Sequence, residues 1–339
     1  MRILVTGGAG YIGSQTVRSL RRRGHLPIVL DTLEHGHRAA VEDAELVVGS
    51  VADRELVHAI LVDGSVDAVI HFAARKAAGE SVDDPSGYFE TNVGHSLALL
   101  TEIERAGIGV FVYSSSCAIY GDPVRVPVDE ATPPRPTSPY GESKLLVERA
   151  LPWYERRGIR HASLRYFNAA GAELDGSHGE VAAGASNLVP LVVGAVLGQS
   201  PPLTIFGTDY PTPDGTAIRD YVHVVDLAAA HVRALEWLVS GRPSLTVNLG
   251  TGRGASVLEV IAAVERATGA RVPREAAGRR AGDPAAIWAD VSLADASLGW
   301  RAEMDLDEIA RSAVRWQADH PYGYDTPAAV PADVLPSPP

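Results

Sequence analysis

One cysteine in 339 residues, Cys117, excludes a disulfide framework and any cysteine-based zinc site. No apolar run reaches the roughly 18 residues of a membrane span. Basic residues are outnumbered, 30 against 42 acidic, and a net charge of −12 argues against a nucleic-acid backbone as the main partner. With 46% hydrophobic and 21% charged residues the chain is no disordered polyelectrolyte. It opens on Met-Arg-Ile-Leu-Val-Thr-Gly-Gly, a strand candidate at once, which leaves no room for a signal peptide. The expectation is a cytoplasmic enzyme or binding protein.

Lysine is nearly missing as well. Of the 30 basic residues only Lys76 and Lys144 are lysine, and asparagine occurs only at positions 92, 168, 187 and 248. Arginine has taken every place where any surface cation will do. A retained lysine therefore points to a site that needs a compact ammonium, a task the broad guanidinium fork performs poorly.

Apolar β-branched runs alternate with helical-period stretches over the first half of the chain. Strands are predicted at Arg2–Thr6, Pro27–Asp31, Glu45–Val48, Asp67–Ala73, Val110–Ser114 and Arg160–Tyr166. Helices are predicted at Ile12–Gly24, Asp53–Val62, Ser86–Ala106 and Pro139–Arg157. Such alternation means βαβ units and a doubly wound parallel sheet of the α/β class. Past Asn168 the order loosens, with helical patterns near Leu188–Leu197, Asp226–Val239 and Ser256–Thr268. The expected organisation is a Rossmann-type unit over residues 1–170 and a smaller C-terminal lobe over 171–325. Leu245–Leu249 rejoins the main sheet in this reading, and residues 326–339 form a loose tail.

The first strand runs into Gly7-Gly8-Ala9-Gly10-Tyr11-Ile12-Gly13. Glycines spaced this way permit a tight turn and let backbone amides approach a pyrophosphate at a helix start. Asp31 closes the second predicted strand 18 residues past Gly13, where a carboxylate accepts from ribose hydroxyls. No arginine follows within six residues to neutralise a 2′-phosphate, so the cofactor is read as NAD.

Further on, Ser138-Pro139-Tyr140-Gly141-Glu142-Ser143-Lys144 begins with an N-cap and a first-turn proline. Tyr140 and Lys144 then lie at i and i+4 on one face. A phenol titrates near pH 10, too high for a base at neutrality. The ammonium and the positive helix end are expected to draw that value down.

With the upstream Ser114-Ser115-Ser116, these motifs resemble the extended short-chain dehydrogenase/reductase family. The stretches His71–Ser81, Leu164-Arg165-Tyr166-Phe167-Asn168, Ile205–Tyr210 and Arg219–His223 are similar, within it, to UDP-glucose (UDP-galactose) 4-epimerases, over Met1 to about Gly323. The resemblance implies an isomerase that interconverts the two sugars through a transient 4-keto sugar with tightly bound NAD. It makes Tyr140 the base, gives Ser116 the reacting oxygen, and sets Lys144 on the nicotinamide ribose while tuning Tyr140. Cofactor contacts are implied at Gly7, Gly10, Tyr11, Ile12, Gly13, Asp31, Thr32, Leu33, Ser50, Val51, Phe72, Ala73, Ala74, Lys76, Asn92, Ser114, Tyr166 and Phe167. Nucleotide-sugar contacts are implied at Lys76, Asn168, Asn187, Leu188, Thr204, Phe206, Arg219, Tyr221, Val257, Arg280, Asp283 and Ile287. A homodimer through the helices near 86–106 and 139–157 is implied too.

Two departures stand out. Many relatives hold the adenine amino group with an acid after the third strand, where Gly49-Ser50-Val51 supplies only a hydroxyl. Related 4,6-dehydratases carry an Asp-Glu pair after the catalytic hydroxyl, and decarboxylases a glutamate; here Cys117 and Ala118 occupy those positions. No metal is expected: His35 and His37 lack a supporting cluster and read as solvated loop residues. Still open are another nucleotide sugar (N-acetylhexosamine or uronic acid), a net dehydrogenase, and a non-catalytic dinucleotide sensor. Ile287 reads either as the wall beside the sugar's 2-substituent or as plain core.

Overall fold

The computed structural model describes residues 1–280 and 282–325. The expected tail, 326–339, lies outside the described residues. Seven strands form one parallel sheet: β1 (Arg2–Thr6), β2 (Leu26–Asp31), β3 (Glu45–Val48), β4 (Ala68–His71), β5 (Val110–Ser116), β6 (Arg160–Tyr166) and the later Leu245–Leu249. From edge to edge the order is Leu245–Leu249, β6, β5, β4, β1, β2, β3. The chain reverses its direction of travel between β1 and β4, the switch point beside which doubly wound sheets bind ligands at the carboxyl ends of their strands.

Strand residues alternate between two cores. Ile3, Val5, Ile70 and Val112 face one side with Val17 and Leu20 of α1 (Tyr11–Arg22) and the helix Val224–Val239. Leu4, Val69, Phe111 and Tyr113 face the other side, against α2 (Arg54–Asp63), α5 (His95–Arg105) and α6 (Pro139–Glu155). Both faces being covered explains the near-continuous apolar runs of the strands. A separate core joins the helices Leu188–Val196, Val257–Thr268 and Leu306–Asp319.

The helix predicted over Ser86–Ala106 is broken into α4 (Pro85–Phe89), a π-turn at Glu90–Gly94, and α5; α3 (Ala78–Asp83) precedes it. The π-turn carries Asn92 into the interior, where it is 1% exposed. Periodicity does not register one extra residue per turn, so the break is invisible in the sequence.

A polar chain crosses the interior beside the sheet's carboxyl edge. Glu148 of α6 pairs with Arg165 of β6 at 2.6 Å and accepts a short bond from Ser115. Arg165 also donates to the Tyr120 hydroxyl at 3.0 Å, which donates to Asn248 Oδ1 at 2.7 Å. Asn248 in turn donates to the Val128 carbonyl at 3.0 Å. Removing one member of a buried ion pair leaves the other uncompensated. Arg165→Met is therefore expected to cost about 3–5 kcal/mol of unfolding free energy, and Glu148→Leu in the same chain to restore most of it. Urea melts of the single and double variants check this; additive losses would show that the pair is not coupled.

Candidate active site

After β1 the chain turns at Gly7 with φ +69°, a conformation that suits glycine. A Cβ at Gly7 would stand 2.5 Å from the Ala73 nitrogen, and one at Gly13 2.2 Å from the Gly7 carbonyl oxygen. Both positions are closed to side chains by the protein's own packing. Gly10 differs: a Cβ there would come no nearer than 3.4 Å to the Gly7 oxygen. As the N-cap of α1 with no capping side chain, Gly10 leaves the first helical amides, from Tyr11 and Ile12 on, open to an anion.

Asp31 ends β2 with its carboxylate turned into this corner. Its Oδ2 accepts from the Ala9 amide at 2.9 Å and its Oδ1 from the Leu33 amide at 2.9 Å. The acid thus pins the glycine turn, and each oxygen keeps a lone pair for a ribose hydroxyl. Beside it Thr32 accepts from the Glu34 amide, Ser50 from the Ala52 amide at 3.1 Å, and Val51 is buried. The glycine cradle, open helix start and strand-end carboxylate together fit a dinucleotide.

Two of the implied cofactor side chains are committed elsewhere. Tyr11 donates its hydroxyl to the Gly171 carbonyl at 2.6 Å, so its backbone, not its phenol, faces the turn. Asn92 accepts from the Arg75 amide at 2.8 Å and donates to the Arg75 carbonyl and the Ser143 hydroxyl, each at 3.0 Å. Both amide protons are used, so Asn92 shapes the loop carrying Phe72, Ala73, Ala74 and Lys76. Buried His71 continues this inner framework between Thr6 (2.6 Å) and Ser96 (2.9 Å), and burial pulls its pKa down to about 3. The sequence reading missed it, since a histidine closing an apolar strand gives no sign of its partners.

Tyr140 stands in the first turn of α6, capped by Ser138, whose hydroxyl accepts from the Gly141 amide at 3.2 Å. A Cβ on Gly141 would come within 2.5 Å of the Ala118 carbonyl, so the glycine lets this helix start press against the turn that follows Ser116. Ser81 and Ser143 fix the Tyr140 backbone, one accepting from its amide at 3.1 Å, the other donating to its carbonyl at 2.7 Å. Tyr88 meets the Tyr140 ring edge-on at 6.5 Å. Lys144, 3% exposed, donates to the Ser114 carbonyl at 2.8 Å, with its ammonium 6.0 Å from the centre of the Tyr140 ring. The Ser114 hydroxyl lies 2.9 Å from that of Tyr166.

The electrostatics differ from the sequence expectation. Burial pushes the Tyr140 phenol well above its ordinary value, with Tyr166 adding to the rise and the Ser116 hydroxyl opposing it. Burial also pulls Lys144 down to about 7, against the attraction of Glu148. An ammonium sharing the same dry pocket is itself penalised and does not offset the rise of the phenol.

Later in the chain Arg219 makes a short charged bond with Asp283, and the Arg280 guanidinium lies 3.9 Å over the Phe206 ring. Asn168 donates its side-chain amide to the Asp220 carbonyl at 3.2 Å, while buried Tyr221 lies in the strand that pairs with Asn168–Ala170. Asp220, unremarked in the sequence, accepts from the Thr251 amide and hydroxyl at 2.8 and 2.7 Å and from the Gly252 and Ala289 amides. It thereby fastens the segments that carry Arg219 and Ile287. Asn187 donates to Glu180 at 2.9 Å; Leu188 and Val257 each begin a helix. Thr204 spends its hydroxyl on Glu275 at 3.1 Å. Ile287, 4% exposed, packs in an apolar cluster with Cys117 and Phe167.

A model of the NAD dependent epimerase/dehydratase family matches residues 3–250. The chain belongs to that family. It is 45% identical over 328 residues to a UDP-glucose 4-epimerase of Halalkalibacterium halodurans, covering 96% of this chain and 98% of that one. Among solved structures, the UDP-glucose-4-epimerase of Stenotrophomonas maltophila, with NAD and formylated UDP-arabinopyranose, superposes with a TM-score of 0.92 at 42% identity, covering 95% and 99% of the two chains. The Bifidobacterium longum enzyme with NAD+ and UDP gives 0.90 at 37% identity, covering 96% and 100%.

In this epimerase/dehydratase family member the position after Ser116 offers no acid, because burial pushes the Cys117 thiol up to about 12. The lysine carries a linkage consequence. Its folded value, about 7, lies below the ordinary 10.5, so the unfolded chain binds more protons between those limits and stability rises with pH across that window. The full penalty of the buried ammonium stands below about pH 7. Lys144→Met is expected to stabilise the cofactor-free protein by about 1–4 kcal/mol near pH 6, with the gain shrinking toward pH 10. Urea titrations of both proteins at the two pH values decide it; a gain independent of pH would mean the ammonium is not the cause.

Proposed function

We infer that this protein interconverts UDP-glucose and UDP-galactose, inverting C4 through a transient 4-keto sugar while NAD stays bound. The observation that carries the reading is a phenol, an ammonium and a serine hydroxyl gathered beside a dinucleotide cradle, with no acid at Cys117 or Ala118. The near-full-length similarity to UDP-glucose 4-epimerases supports the substrate. In this reading residues 1–170 carry the cofactor and 171–325 the nucleotide sugar, with 245–249 returned to the sheet.

Tyr140 takes the proton of the sugar 4-hydroxyl and later returns it, and Ser116 holds the reacting oxygen. When bound, NAD would supply the hydride acceptor, the hydride donor on return, and a positive charge. The Lys144 ammonium, 6.0 Å from the centre of the Tyr140 ring, would add to that charge and lower the cost of the phenolate. Arg219 and Arg280 meet the diphosphate with forked donors, and Asp283 accepts from the uridine ribose. The half-buried faces of α5 and α6, with Trp153 64% exposed, pair two copies into a homodimer. Among the described residues no helix is long and apolar enough to cross a membrane, and the proposed location is the cytoplasm.

Incubation with UDP-galactose is expected to yield UDP-glucose without added NAD and without net NADH. Stoichiometric NADH would make the protein a dehydrogenase instead. Tyr140→Phe removes only the titrating hydroxyl and is expected to keep the fold while lowering turnover at least about 100-fold.

For Ile287 we propose the wall reading: N-acetylated sugars are poor substrates of the unmodified protein. Ile287→Ala is expected to raise their kcat/KM about 5- to 150-fold, at a stability cost of about 2–5 kcal/mol for the cavity. Equal kcat/KM for plain and N-acetylated sugars in the unmodified protein would remove Ile287 as a gate.

A further inference from the structure

Glu180 has no assigned task, yet both lobes fix it. The chain from Gly171 to His178 lies along α1: besides the Tyr11 bond, Arg22 pairs with Glu173 at 2.9 Å and His178 sits 2.8 Å from the Ser14 hydroxyl. From the other side Trp316 donates its indole N–H to the Glu180 carbonyl at 2.8 Å. A Cβ on Gly179 would stand 2.4 Å from the Trp316 ring, so the approach depends on that glycine.

From this held backbone the Glu180 side chain, 9% exposed, presents Oε1 to two donors at once. Lys76 Nζ reaches it at 3.2 Å from the loop after β4, and Asn187 Nδ2 at 2.9 Å from the start of the helix Leu188–Val196. Asn187 is the N-cap residue of that helix but makes no capping bond, although asparagine is among the preferred caps. Its amide is drawn across to Glu180 instead. A carboxylate next to a doubly anionic ligand repels it, so the acid's value to the site lies in where it holds the donors.

We propose that Glu180 is a positioning residue whose carboxylate ties Lys76 to Asn187 and so pre-sets two donors for the diphosphate of the nucleotide sugar. This rests on the function proposed above. Lys76 has a long flexible stem, and anchoring it before the ligand arrives removes ordering that binding would otherwise have to supply. The effect belongs to ground-state and transition-state binding alike, so it is read in KM rather than kcat.

The test uses the holoenzyme, with steady-state conversion of UDP-galactose and calorimetric titration with UDP. Glu180→Ala is expected to raise KM about tenfold and weaken UDP binding by a similar factor, with kcat changed by less than about threefold. Glu180→Gln keeps an acceptor oxygen for both donors and is expected to recover most of the loss. If Glu180→Ala does not fold, Glu180→Asp, which withdraws the carboxylate by one methylene, is expected to show the KM rise. Unchanged KM and UDP affinity in a folded variant, even with a lowered Tm, would overturn the proposal and leave only a structural tie. So would a Glu180→Gln as impaired as Glu180→Ala. Wild-type protein that binds UDP without converting the sugar overturns the functional reading, while the UDP titration still decides on Glu180; wild-type protein that binds no UDP overturns both.

Discussion

A buried ammonium governs the centre of this molecule. Lys144 lies at 3% exposure and donates to one backbone carbonyl, that of Ser114. A charge so placed is expensive unless other charges answer it. The acid that answers it, Glu148, follows four residues later on α6 and is itself shared with Arg165 and Ser115. The network through Tyr120 and Asn248 therefore does more than fasten β6 to the edge strand. It holds an anion at a fixed depth beneath the lysine, and with it the electrostatic level of the pocket. Burial in turn forces the phenol of Tyr140 upward as it pulls Lys144 down, so the dry pocket favours the neutral form of both groups.

The same dryness explains why glycine is so demanding here. For Tyr140 to reach Ser116, α6 must start against the backbone of the turn Cys117–Tyr120, and Gly141 alone permits it. For β1 to hand the chain to α1 beside Ala73, Gly7 must take a positive φ. Gly10 is different in kind, since the protein's own packing does not need its bareness. The glycine motif thus contains two packing requirements and one position that packing leaves free, which the spacing alone does not separate.

Much of this was legible in the chain because local rules decide it. β1, β3, β6 and Leu245–Leu249 follow the predicted boundaries, since apolar runs bounded by glycine and polar residues determine them. The start of α6 was written in Ser138 and Pro139, and the rarity of lysine directed attention to Lys144. What escaped depends on contacts between distant segments. Asn92 reads as a polar residue in a helix until the π-turn carries it to the backbone of Arg75. Asp220 carries no signal in the sequence, and only the fold shows it gathering the amides of Thr251, Gly252 and Ala289. The lowering of the tyrosine pKa failed for a related reason: i and i+4 spacing gives proximity but not the dielectric in which the two groups meet.

The charge balance resolves an apparent contradiction between a net charge of −12 and a family that handles polyanions. Two of the cations proposed for the site are already paired with acids. Arg219 is held by Asp283, and Lys76 by Glu180. Each pair presents an oriented donor with little net field, so it offers no broad positive surface to nucleic acid or other polyphosphates. A ligand gains from such a pair only by placing its oxygens where the donors already point, while the helix start at Gly10 supplies attraction from backbone dipoles without any added charge. Recognition of anions by an acidic protein then depends on geometry at a few points rather than on long-range charge. The position of the carboxylates matters as much to it as that of the cations.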